Sequence, residues 1–335
     1  MIDVGVIGYG YWGPNLVRNF VSSPSTRVAM VCDRDPARLE KVASLYPAIR
    51  LTRSPDELIA DPEVAAVVIA TPVEGHYPLA LAALQAGKHV LVEKPIASTA
   101  DEAVRLIDEA DKRGLVLAVD HTFVFTGAVR KMRELVRTDA FGPVRYYDST
   151  RVNLGLFQHD VNVLWDLAVH DLSIMQYVLD RQPVEVSATG HSHIPGQPEY
   201  AAFLTLFFGE DLIAHINVNW LSPVKIRRTL VGGDRQMIVY DDLETSEKIK
   251  LYDKGITVSE TPEQVHKLLI SYRTGDLWSP KVADAEALSV EAEHFAACIR
   301  GEEQPIVSGV AGLQVLRILE AADQSMTNRG EPVAL

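Results

Sequence analysis

Lys94, in the run Glu93-Lys94-Pro95, and His170, in Trp165-Asp166-Leu167-Ala168-Val169-His170-Asp171, are the side chains best suited to steady charge on an oxygen and to move its proton. A lysine in a partly dry cleft donates hydrogen bonds to a carbinol or carbonyl oxygen and stabilises negative charge developing there during hydride transfer. An imidazole titrates near neutral pH, so it can take a hydroxyl proton as a hydride leaves carbon and return it in the reverse direction. Asp166 and His170 stand four apart and share one face of a helix, where Asp166 would orient the ring or hold a neighbouring hydroxyl. Each motif also has a plain reading: Lys94 as a solvated loop residue, and the pair as a helix cap and a core histidine.

Such groups act only if something brings a redox partner to them. Val4 to Ile7 reads as a short apolar strand, followed by Gly8, Gly10 and Gly13 and then a helix-like run from Asn15 to Val21. That order is a dinucleotide-binding turn, whose backbone approaches a pyrophosphate seated on the helix N-terminal amides. Tyr11 and Trp12 lie inside the turn and count with it as cofactor contacts. A second apolar strand, Val28 to Cys32, ends in Asp33, about 20 residues further on, as the motif requires. Asp33 would accept hydrogen bonds from the adenosine ribose and repel a 2′-phosphate, which favours NAD over NADP. Arg34, at the same corner, would pair with such a phosphate or stack on adenine. The competing reading is a nucleotide-free turn with Asp33 capping the helix after Pro36.

The rest of the first third continues this alternation. Val64 to Ala70, His89 to Val92 and Leu115 to Val119 read as strands, Pro78 to Gln85 and Ala100 to Lys112 as helices, with Gly87 and Gly114 closing the helices. The expectation is an α/β chain: a Rossmann doubly wound parallel sheet over residues 1–120 and an α+β domain over 121–335 with a large, mostly antiparallel sheet. The strands assigned to that second sheet are Arg145 to Arg151, Val184 to Gly190, Tyr200 to Phe208, Leu212 to Leu221, Lys225 to Gly232 and Arg235 to Tyr240. Helices are expected around Ala128 to Val136, Trp165 to Leu179, Ser289 to Arg300 and Val310 to Asn328, with a binding cleft where the domains meet. At 335 residues and 47% apolar, two domains are the natural division.

A net charge of -13 argues against nucleic acid or an anionic membrane surface as the partner. The apolar stretches are of strand length and no charged region with a hydrophobic segment opens the chain, so no membrane span is expected and the location expected is cytoplasmic. Cys32 and Cys298 read as reduced, buried thiols, and His191 with His193 lacks the companions of a metal site. Lys225, Arg227 and Arg228 form a basic patch that would hold a diphosphate or line the outer face of a strand. Tyr272 to Asp276 reads either as a loop near the cleft or as surface punctuation.

Taken in order, the glycine turn, Thr71-Pro72 with His76, Gly87-Lys88-His89-Val90 through Glu93-Lys94-Pro95, and Asp166 with His170 and Asp171 resemble the Gfo/Idh/MocA family over nearly the whole length. The resemblance implies that Lys94, Asp166 and His170 form the catalytic set. It also implies that Thr71, Pro72, His76, Glu93 and Lys94 lie at the cofactor and that the Lys94-Pro95 bond is cis. One departure is Ala168, where many members have glycine. Tyr9 to Asn15, and Asn153-Leu154-Gly155 through Asp160-Val161-Asn162, are similar to the branch acting on nucleotide-linked sugars, which includes UDP-N-acetylglucosaminuronic acid 3-dehydrogenases. Arg151 and Asn162 flank the loop before the catalytic helix and, with His170, are the expected substrate contacts. The implied activity is NAD-dependent oxidation of a sugar ring CHOH, C3 of a nucleotide-linked sugar being the expected position, by a homodimer or homotetramer. The alternatives are reduction of a keto-deoxysugar nucleotide, a free-sugar or inositol dehydrogenase, and a non-catalytic cofactor-binding regulator. A regulator has no chemical need for Lys94, Asp166 and His170 together.

Overall fold

Runs of valine, isoleucine and alanine without polar alternation are the pattern of strands covered on both faces. In a computed structural model of the protein, which describes residues 1–155, 161–253 and 275–335, these runs form one all-parallel sheet. Its strands are β1 (Ile2–Ile7), β2 (Thr26–Cys32), β3 (Arg50–Thr52), β4 (Ala66–Ile69), β5 (His89–Glu93) and β6 (Leu117–Asp120), in the order β3-β2-β1-β4-β5-β6. The order reverses between β1 and β4, which opens a crevice at the carboxyl ends of the strands. Helices cross between strands, and their starts are written in the sequence. Asp35, Ser54 and Thr99 cap helices Pro36–Leu45, Pro55–Ala60 and Ala100–Arg113 by accepting from the amides of Ala37, Glu57 and Glu102. The cap before Pro36 is therefore Asp35, which releases Asp33 for another role.

The chain divides into two compact units, each built from two stretches of sequence. The first unit is Met1–Phe125 with Ala285–Arg317, and the second is Thr126–Asp284 with Ile318–Leu335. Helix Ala287–Ile299 returns to the first unit because its apolar face completes that core. Leu288, Ala292, Phe295 and Ala296 pack with Leu16, Val17, Phe20 and Val28, and the Phe20 and Phe295 rings meet edge to face at 6.4 Å.

In the second unit the pattern becomes a two-residue alternation, which leaves one face of a sheet covered and one open. Ala202, Leu204 and Leu206 are buried, whereas Phe203 between them is 47% exposed. The sheet has nine strands: β7 (Val144–Leu154), β8 (Glu185–His191), β9 (Ala201–Phe207), β10 (Ile213–Asn219), β11 (Leu221–Gly233), β12 (Met237–Asp241), β13 (Ile249–Tyr252), β14 (Leu277–Trp278) and β15 (Val333–Ala334). They lie in the order β14-β13-β12-β11-β7-β10-β9-β8-β15, and only the β7–β10 pair is parallel. The fold class is the one expected. Strands β3, β13, β14 and β15 add to it; each has four residues or fewer, too short for a periodic signal. Among the described residues, no helix is long and apolar enough to cross a membrane. Tyr272, Arg273 and Thr274, and residues 156–160 within the Asn153–Asn162 stretch, lie outside the described residues.

Candidate active site

A cavity of about 860 Å³ opens at the carboxyl edge of the parallel sheet, lined by Gly8, Gly10, Tyr11, Trp12, Asp33, Arg34, Arg38, Thr71, Pro72 and Glu93. The three glycines have separate reasons to be there. Gly8 has φ +102°, and a Cβ on it would lie 2.4 Å from the Ala70 carbonyl oxygen; one on Gly13 would lie 2.3 Å from the Gly8 carbonyl oxygen. Those two close the turn. A Cβ on Gly10 would meet nothing nearer than the Arg38 guanidinium at 3.5 Å, so the need for glycine there comes from what enters the cavity. Helix Gly13–Ser22 begins without a side-chain cap and without an acidic residue in its first turn, which leaves its leading amides for an anion. The Thr71 hydroxyl is buried in the same wall with no hydrogen-bond partner among the described residues. This combination fits a pyrophosphate-bearing dinucleotide.

A contrast between two alanines follows. Gly10→Ala is expected to fold normally yet weaken NADH binding by about tenfold to a hundredfold. Gly13→Ala is expected to destabilise the fold itself by about 1–3 kcal/mol. Fluorescence titration with NADH and thermal melts of both variants check the pair; equal melting points would overturn the division of labour.

Asp33 ties the glycine turn to the end of β2. One carboxylate oxygen accepts from the Tyr9 amide at 2.6 Å and the other from the Asp35 amide at 2.9 Å. Arg38 reaches the first of these oxygens at 3.4 Å, and Arg34 is exposed at the rim. Arg38 escaped the sequence reading, although a basic residue five positions after the acidic one, in the first turn of the next helix, was the available signal. Trp12 donates its indole N–H to Asp120 at 2.7 Å, and Tyr11 is 93% exposed.

His76 is buried, its Nδ1 2.7 Å from the Pro95 carbonyl oxygen and its Nε2 2.9 Å from that of Thr71, so it braces the loops after β4 and β5 behind the residues that line the cavity. Burial holds its pKa below the ordinary histidine value. The Lys94-Pro95 peptide bond is cis. Glu93 and Asp120 are register partners at the ends of β5 and β6, so Lys94 and His121 leave the sheet side by side. Asp120-His121 thus repeats, one strand over, the placement that made Glu93-Lys94 noticeable.

The second unit holds the other candidates. Asp166 lies in a π-helical turn, Leu164–Ala168, that runs into helix Val169–Leu179, where His170 is the second residue. Such turns recur at functional sites because they re-aim side chains without ending the helix. Asp166 accepts the Trp220 indole N–H at 2.9 Å. Two of the substrate contacts expected from sequence turn out to have internal partners. Arg151 is 3% exposed, and its Nε donates to Asp171 at 2.5 Å. Asn162 donates to Asp323 at 2.8 Å and accepts the Leu164 amide at 3.0 Å, while the Trp165 indole donates to the other Asp323 oxygen at 2.7 Å. Arg151 and Asn162 therefore support the helix that carries Asp166 and His170. Within the basic patch, Arg227 pairs with Asp242 at 3.2 Å, and Lys225 and Arg228 are exposed. Cys32 and Cys298 are free and buried. Among the described residues, no group of His, Cys, Asp and Glu is arranged to hold a metal ion.

Residues 2–121 match the family described as "Oxidoreductase family, NAD-binding Rossmann fold" and residues 133–335 its companion, "Oxidoreductase family, C-terminal alpha/beta domain". The chain is 31% identical over 317 residues, 93% of each protein, to a UDP-N-acetylglucosamine 3-dehydrogenase of Acidithiobacillus ferrooxidans. A solved structure of UDP-N-acetylglucosamine 3-dehydrogenase from the same organism superposes with a TM-score of 0.80 at 27% identity over 97% of each chain. The chain is also 24% identical, along its whole length and 96% of the relative, to a scyllo-inositol 2-dehydrogenase (NAD(+)) of Bacillus subtilis. It is an oxidoreductase with an NAD-binding Rossmann domain. Matched in both domains, in that order, the chain belongs to the Gfo/Idh/MocA family.

Proposed function

We propose that the protein transfers a hydride between a ring carbon of a nucleotide-linked sugar and NAD, with Lys94, Asp166 and His170 as the catalytic residues and C3 as the reacting carbon. The observation that carries this reading is Lys94 itself, which follows Glu93 of the cavity wall at the carboxyl edge of β5. The nicotinamide supplies the site that gives or takes the hydride. Lys94 holds the substrate oxygen and stabilises its negative charge as the C–O bond changes order. His170 takes the hydroxyl proton in oxidation and returns it in reduction, and Asp166, itself held by the Trp220 indole, keeps the ring turned for that exchange. The buried Asp33 carboxylate supports NAD over NADP. The 31% identical relative, a UDP-N-acetylglucosamine 3-dehydrogenase, supports the sugar class.

The test follows nicotinamide absorbance with NAD or NADP against UDP- and TDP-linked sugars and uronic acids, free sugars and inositols. Turnover with a nucleotide-linked sugar and NAD is the expected result. Turnover confined to inositols would instead align the protein with the scyllo-inositol relative. Cofactor binding with no turnover in either direction, keto-sugars with NADH included, would favour a regulator.

A further inference from the structure

Glu291, in the middle of helix Ala287–Ile299, is 2% exposed, and neither of its carboxyl oxygens accepts a hydrogen bond from a donor group among the described residues. The polar group that acts on it most directly is the carboxyl of Asp120, itself 2% exposed. Two carboxyl groups can share a hydrogen bond only if one of them carries the proton. Asp120 already accepts from the Trp12 indole at 2.7 Å and from the Thr122 hydroxyl, so its oxygens are engaged as acceptors. The proton therefore belongs to Glu291.

We propose that Glu291 is held as the neutral acid, donating its proton to Asp120, and that this buried pair fixes the Trp12 indole in the wall of the dinucleotide cavity, so that removing the proton loosens cofactor binding. Trp12 lines that cavity directly, whereas Glu291 touches neither cofactor nor substrate and is a positioning residue.

The charges around Glu291 favour the neutral form. Burial comes first, and then Asp120 and Glu93, both acidic, push its pKa well above the ordinary carboxylate range. Helix Gly13–Ser22, packed against it, offers Arg18, but that side chain is taken by Glu286. On its own helix, Glu293 accepts from Ser23 and Ser25, and His294 faces Glu303. The Thr122–Phe125 segment contributes only the Thr122 hydroxyl, spent on Asp120, and Arg27 of β2 pairs with Asp3. His121 is held neutral, its pKa pushed down to about 3 by burial and then by Lys94. Because the folded pKa is raised, the contact is complete at low pH and is lost as pH rises through that raised value.

The proposal rests on the cavity being the dinucleotide site, and the test keeps the two apart. NADH dissociation constants are measured by fluorescence from about pH 6 to about pH 10 for the parent protein and Glu291→Gln, whose amide keeps the donor and cannot ionise. The parent is expected to weaken by about tenfold at the alkaline end. Glu291→Gln is expected to match it at neutral pH and stay flat above. Infrared difference spectra should show a protonated-carboxyl band in the parent that is missing in Glu291→Gln. An alkaline limb that survives in Glu291→Gln, or a parent spectrum without that band, overturns the proposal while leaving the cavity assignment intact. Failure of NADH to bind at every pH overturns the cavity assignment, and the proposal with it.

Discussion

Replacing Lys94 with methionine is expected to lower kcat by about a thousandfold or more while the NADH dissociation constant stays within about twofold of the parent value. Methionine keeps the length of the apolar stem and removes only the charge and its donors, so what is lost is stabilisation of the reacting oxygen. Burial comes first in lowering the pKa of both His76 and His121, and the Lys94 charge adds to it, which places that charge near both rings. Lys94 is not among the residues lining the cavity, so cofactor affinity has little reason to change. Steady-state kinetics beside NADH titration decides the matter: a kcat within tenfold of the parent would remove Lys94 from the reaction.

Asp171→Asn is expected to destabilise the protein by about 3–5 kcal/mol, a fall of roughly 10 °C in Tm. Arg151 and Asp171 form an ion pair with both side chains only 4% exposed, so neutralising the carboxylate leaves a guanidinium inside the protein without its countercharge. The size of the effect measures the stranded charge more than the worth of the pair, because replacing both partners with apolar groups of similar volume can be nearly neutral. Arg18→Ala opens a pair whose partners are about half exposed, and is expected to move the melting midpoint far less. Calorimetry of the two variants side by side checks this, and equal shifts would show that burial is not what matters at Arg151.

The contrast between those pairs explains what could be read in advance. The six-strand order follows from local signals: apolar runs, capping residues and glycines at fixed offsets, each legible over a few residues. Arg151 looked like a substrate contact because it sits beside the loop before His170. Its partner, Asp171, lies on a helix that packs against β7, a contact no local pattern declares. The Asn162 partner is equally hidden from local pattern, since Asp323 comes from the far end of the chain. Glu291 was silent for a different reason: a lone acid in a helix reads as a solvated charge, and only burial beside Asp120 makes it chemical. The glycine turn was the opposite case, because steric need at Gly8 and Gly13 is set by residues close in sequence or by the adjacent strand.

The return of Ala285–Arg317 to the first unit sets the order in which that unit can be completed during synthesis. When a ribosome has released residues 1–125, Val17 and Phe20 are in place, but Ala292 and Phe295, which cover them, have not been made. The nascent nucleotide-binding half must therefore carry an open apolar face until translation has passed through the whole of Thr126–Asp284. The part made first is sealed late, and during that interval it presents the kind of surface that chaperones bind and that truncated chains aggregate through.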